Sequence, residues 1–194
     1  MKRLALILIS LGINYFGISQ QKGYYKSEIG VELYGGISNL GGAFGGEIKY
    51  AYLVDKNLAI GPSLRLQRTW TNNFGINQGF NIYGGGAFAH YRFQEKLFLG
   101  AEIQLLRSPF NFVNFQQNPK KWAPIALIGG GVNLKLHERA RLSAGIFYDI
   151  ANADNSPFRS SYNFKIKNEF GQIVRILPII YRVTFFFPLG EKVN

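Results

Sequence analysis

The chain has 194 residues, enough for one domain, and it contains no cysteine, which excludes a disulfide framework and a thiolate metal site. Charged residues make up only 17% of it, while 15% are aromatic and 23 are glycine, a composition that suits a barrel whose outer wall faces lipid better than a solvated surface. The formal net charge is +11, but its Lys and Arg are scattered rather than clustered, so nucleic acid is not expected as a partner.

The N-terminus reads as an export address. Lys2 and Arg3 precede a mostly apolar stretch over 4–16, and Gly17, Ile18 and Ser19 supply the small-x-small pattern of a signal peptidase site. Residues 1–19 are expected to be a cleaved signal peptide and 20–194 the mature domain. The stretch carries Asn14 and falls short of the about 20 apolar residues a spanning helix needs.

From residue 28 onward the pattern alternates with period two, the signature of strands with one apolar and one mixed face. A first strand is expected over 28–38. Three Gly-rich hairpins follow. One runs from Gly45 and Gly46 through a turn at Asp55, Lys56 and Asn57. The next runs from Gly84, Gly85 and Gly86 through a turn at Gln94, Glu95 and Lys96. The third runs from Gly129, Gly130 and Gly131 through a turn at His137, Glu138 and Arg139. Short charged turns of this kind are hairpin connections. A last strand over 176–187 brings the count to eight. Longer polar segments over 71–78, 108–121 and 151–172 form the opposite end. Short turns at one end and long loops at the other define a closed antiparallel up-and-down transmembrane β-barrel, with the short turns periplasmic and the loops extracellular.

The mixed lanes carry Glu28, Glu32, Glu47, Glu102 and Asp149 against Lys49, Arg65, Lys135, Arg141 and Arg182. Balanced charge among small residues predicts a narrow lumen filled by ion pairs, because buried charges persist only when paired. Tyr50, Tyr52, Phe185 and Phe187 at turn-side ends, with Trp70 and Trp122 at loop-side ends, predict two aromatic girdles. The segment 80–93 fits neither parity throughout. A bulge near Gly84, Gly85 and Gly86 would let Phe80 and Ile82, then Tyr91 and Phe93, face lipid. Arg68, Arg107, Lys120 and Lys121 fall on the loop side, where they are placed to meet lipopolysaccharide phosphates or simply to solvate the loops.

No catalytic constellation emerges. The two histidines, His90 and His137, lie in a strand and a tight turn without a nucleophile and orienting partner, so no enzyme, cofactor or metal is expected. The glycine runs precede no helix and are not phosphate loops.

On its Gly-rich hairpins, short charged turns and aromatic ending (Tyr181, Val183, Phe185, Phe187), the chain resembles the small outer-membrane β-barrel proteins, among them the OmpA membrane domain, OmpX and the PorT-like barrels. The resemblance implies insertion by the barrel-assembly machinery, an outer-membrane location and no shared catalytic residues. Three roles stay open: a structural or binding barrel acting through its extracellular loops on lipopolysaccharide or a surface ligand, an accessory barrel of a secretion or assembly system, and a soluble lipocalin-like carrier.

Overall fold

The computed structural model describes residues 24–38, 41–73, 76–111, 116–117, 120–162 and 164–193; the expected signal peptide lies outside them. Eight long strands form the wall: β1 (Tyr24–Ser38), β2 (Gly41–Leu53), β3 (Leu58–Asn73), β4 (Ile76–Phe93), β5 (Leu97–Arg107), β6 (Trp122–His137), β7 (Ala140–Asp149) and β8 (Ile179–Val193). Each pairs antiparallel with its chain neighbours, and β8 closes on β1 from Tyr24 opposite Val193 to Val31 opposite Phe185. The all-β, closed, eight-strand fold expected from the alternation is the fold observed. Closure pairs every wall strand with a neighbour on both sides, which is how a β-structure satisfies its backbone where water is absent.

The strands exceed their expected bounds. β1 begins at Tyr24, and β8 runs past the aromatic ending, with Pro188 opposite Glu28. β8 also starts later than expected, at Ile179. The expected loop over 71–78 is mostly strand, because β3 and β4 stay paired up to Asn73 opposite Ile76.

The three tight turns each have a local cause. Asp55 accepts hydrogen bonds from the backbone N–H of Asn57 (2.6 Å) and Leu58 (2.9 Å), an Asx turn. Those donors hold its carboxyl below the ordinary carboxylate range. Gln94 and Glu95 both have positive φ (49° and 58°), the primed-turn geometry that matches strand twist, and Lys96 N–H closes the turn on Phe93 O at 2.9 Å. The third turn follows a register shift between Lys135 and His137.

The segment 80–93 corrects the sequence expectation. β4 pairs without a register shift from Ile76 to Tyr91 on one side and from Tyr83 to Phe93 on the other, so no bulge interrupts it. One parity serves throughout the wall. Tyr83, Tyr91 and Phe93 face outward, whereas Ile82, Phe88, His90 and Arg92 are buried inside. Ile82 therefore does not face lipid, and Phe80 is half-buried against Phe110, their rings 5.1 Å apart.

Beyond the wall, the loop between β7 and β8 holds a 3-10 turn (Pro157–Ser161) and a two-stranded ribbon, Phe164–Lys167 paired with Ile173–Leu177.

Candidate functional site: the barrel interior and its outer rim

Alternation sorts the side chains into an apolar outside and a charged inside. Along β5 every other residue is exposed (Leu97, Leu99, Ile103 and Leu105 among them) while Phe98, Glu102, Gln104 and Leu106 are buried. Leu64 and Leu66 are 68% and 70% exposed, and the intervening Arg65 is 2% exposed. A water-soluble barrel has the opposite arrangement, with apolar side chains inside.

The interior is built in tiers. In the tier nearer the loops, three carboxylates (Glu32, Glu47, Glu102) meet three cations (Lys49, Arg65, Arg182). Arg182 is the hub. Its guanidinium donates to Glu32 (2.6 Å at the shortest), to Glu47 at 2.8 Å and to Glu102 at 2.5 Å. Arg65 bridges Glu47 at 2.5 Å and Glu32 at 3.1 Å, and Lys49 donates to Glu102 at 2.5 Å. Gln104 adds a donor to Glu47 at 2.9 Å, and His90 Nε2 lies 3.1 Å from Glu102.

Below lies an aromatic layer of Phe88, His90, Phe98, Phe147 and Phe186, with neighbouring rings 5.0 to 6.3 Å apart. Inward glycines make room for it. A Cβ on Gly30 would sit 2.7 Å from the Phe186 ring, and one on Gly145 would sit 2.8 Å from Phe98. Nearer the turns, Glu28 takes the bidentate fork of Arg92 (2.7 and 3.3 Å) and a further bond from Arg141. Cations of both tiers stack on the rings between them: Lys49 over Phe88 at 5.2 Å, Arg182 over Phe147 at 5.7 Å, Arg92 over Phe186 at 5.5 Å.

The loop after β7 folds back as a plug. Phe158 enters the mouth with its ring 4.6 Å from the Arg65 guanidinium. Tyr162 donates to Asp149 Oδ2 at 2.8 Å, Ser156 donates to the same oxygen at 3.1 Å, and Asn152 N–H donates to Oδ1 at 3.1 Å. Asn155 ties the plug to the neighbouring loop through Ser108 O and Lys120 O, both at 2.9 Å. Burial and the Asp149 carboxylate push the Tyr162 phenol above its ordinary range. Tyr162→Phe should cost about 1.5–3 kcal/mol, the worth of a hydrogen bond to a charged group. A lower unfolding midpoint in detergent and faster trypsin cleavage after Arg159 are the expected readouts.

Of the ten lumen residues named from sequence, Glu28, Glu32, Glu47, Lys49, Arg65, Glu102, Arg141 and Arg182 lie in these ion-pair tiers. Two are corrected. Asp149 is fully buried but forms hydrogen bonds with the plug, and no salt bridge joins it to a base among the described residues. Lys135 is exposed, because β6 outruns its partner β5, whose pairing ends at Val132, and the hairpin end projects past the wall. Arg92 does not stand out in the sequence because both lanes of its strand look apolar, yet it is buried with His90 while Tyr91 and Phe93 are exposed on the other face. Phe158 and Tyr162 belong to a segment with no periodicity to read.

The outer wall carries Tyr50, Tyr52, Phe185 and Phe187 exposed at the turn side and Trp122 at the loop side, with Trp70 half-buried edge-on against Phe44 (6.1 Å). Beside Trp122, which is the cross-strand partner of Arg107, a cleft of about 330 Å³ gathers Arg68, Arg107 and Lys121 with Phe80 and Asn81. Arg68 donates to Asn81 Oδ1 at 2.7 Å, and Gly79 leaves the space its guanidinium occupies, since a Cβ there would lie 2.7 Å from Nη2. Arg107 stacks over Tyr83 at 5.6 Å. Lys120 lies exposed beside Lys121, outside the cleft.

No family model matches the chain, and no curated protein matches it. Among solved structures, the backbone structure of the Yersinia pestis outer membrane protein Ail in a phospholipid bilayer nanodisc is similar, at 14% identity over 86% of this chain and 100% of that one, with a TM-score of 0.46.

Proposed function

We propose that this chain is an integral outer-membrane barrel with a side-chain-filled lumen, acting as a structural and binding barrel through its extracellular rim. One observation carries the reading: the wall is apolar outside and its charge is paired inside, the inverse of a soluble barrel. The ion-pair tiers, the aromatic layer and the Phe158 plug fill the bore, so the reading assigns no wide pore and places function at the surface. The short turns then face the periplasm and the plugged mouth faces out. There the cleft of Arg68, Arg107 and Lys121 lies level with the girdle residue Trp122, where three cations suit the phosphates of lipopolysaccharide.

The test begins with the membrane fraction on SDS gels, with and without boiling. A faster unboiled band supports a closed, detergent-resistant barrel, whereas a soluble protein of one mobility would overturn the reading. In the triple variant R68A/R107A/K121A the gel shift should persist while stabilisation by added lipopolysaccharide is lost. Full stabilisation in that variant would remove the cleft from the proposal.

A further inference from the structure

We propose that the ribbon formed by Phe164–Lys167 and Ile173–Leu177 is a lateral anchor that seats on the outer leaflet of the membrane its own barrel spans, an inference that rests on the outer-membrane reading. Both ribbon strands are exposed except at the half-buried Leu177, with Phe164 at 37% and Ile166 at 44%, and Phe170 in the turn between them is 86% exposed. Exposed apolar side chains in that number need a covering phase.

Continuity with the barrel wall identifies that phase. Only Pro178 separates the second ribbon strand from β8, and its carbonyl accepts the N–H of Asp149 at 2.8 Å, which fixes the ribbon's base to the wall. Tyr181 is on the outward face of β8, 58% exposed, and Phe164 packs on it with ring centroids 5.9 Å apart. Residues opposite one another in an antiparallel ladder share a face. Phe164 is opposite Leu177 and Ile166 is opposite Arg175, so these four extend the face to which Tyr181 belongs. Lys165 and Ile176 form the reverse face.

The heights agree. Leu177 is two residues before Ile179, about 7 Å of extended chain, and Arg175 is two residues before that. Phe164 and Leu177 thus continue the apolar band at its rim, and Arg175 reaches the headgroup layer, which adds about 5–7 Å on each side of the hydrocarbon. An apolar edge followed at once by a cation is the pattern of an interfacial segment, the cation bound to lipid phosphate.

Because the chain has no cysteine, single cysteines can carry a polarity-sensitive fluorophore without a background variant. Three labelled proteins in vesicles containing lipopolysaccharide make the test: I166C on the proposed lipid face, K165C on the reverse face and V183C on the barrel wall. The expected result is blue-shifted emission at I166C and V183C, both quenched several-fold more by a lipid-borne quencher than by iodide, with K165C the reverse. Aqueous emission at I166C alongside lipid emission at V183C would overturn the anchor and leave the barrel reading standing. Aqueous emission at both would overturn the two together.

Discussion

Replacing Arg182 by Met should lower the barrel's stability by about 3–5 kcal/mol, the range for removing one partner of a buried ion pair. The loop-side tier holds three carboxylates and three cations, so the variant leaves one uncompensated negative charge in a space whose members are nearly all under 6% exposed. Glu32 loses most. Among the described residues it keeps Arg65 at 3.1 Å and the Thr184 hydroxyl at 3.3 Å, while Glu47 retains Arg65 and Glu102 retains Lys49. The second half of the prediction is compensation. R182M/E32Q restores charge balance, and its urea unfolding midpoint in vesicles should lie between wild type and R182M, a coupling a double-mutant cycle measures directly. An R182M midpoint equal to wild type would mean that water screens the tier and that the interior is not dry.

That tier marks what was legible in the sequence and what was not. Glu32, Glu47, Arg65 and Glu102 stand out because each interrupts an apolar alternation, and a charge inside such a lane has few places to go. The pairing was not legible. Glu32 and Arg182 are 150 residues apart and meet because β8 closes on β1, a consequence of barrel closure rather than of any local pattern. The hydrophobic code also inverts midway down the bore. Phe88, Phe98, Phe147 and Phe186 are inside, so in β4 the inward lane looks as apolar as the outward one, and Arg92 hides in it. Lys135 shows the converse error. It has the inward parity, but β6 outruns β5 after Val132, and from Leu134 to His137 side chains of both parities are exposed. The rim cations were legible as loop-side positions, but their gathering into one cleft needs β3, β4, β5 and the following loop side by side.

Glycine supplies the other large effect, and its sign opposes strand propensity. Valine favours strands over glycine by up to about 1 kcal/mol, so on propensity alone Gly86→Val should stabilise β4. The geometry predicts the reverse. A Cβ on Gly86 would fall 1.8 Å from the carbonyl oxygen of Ile103 and 2.7 Å from Gln104 Cα, both backbone atoms of the paired strand β5. No rotamer relieves a clash with backbone, so β4 and β5 must separate where Gln104 supports Glu47. Overpacking of this kind costs about 1–3 kcal/mol in a core that can adjust, and a closed wall with a filled bore has little room to do so. Gly36→Val is the control, because nothing lies within 4 Å of a Cβ at that exposed position. In refolding from urea into detergent, G36V should give the heat-modifiable band at wild-type yield, and G86V should give little of it or a midpoint lowered by at least the overpacking cost. Equal yields and midpoints would show that the approach of β5 to Gly86 is slack, and that the glycines of the hairpins serve the turns rather than the wall.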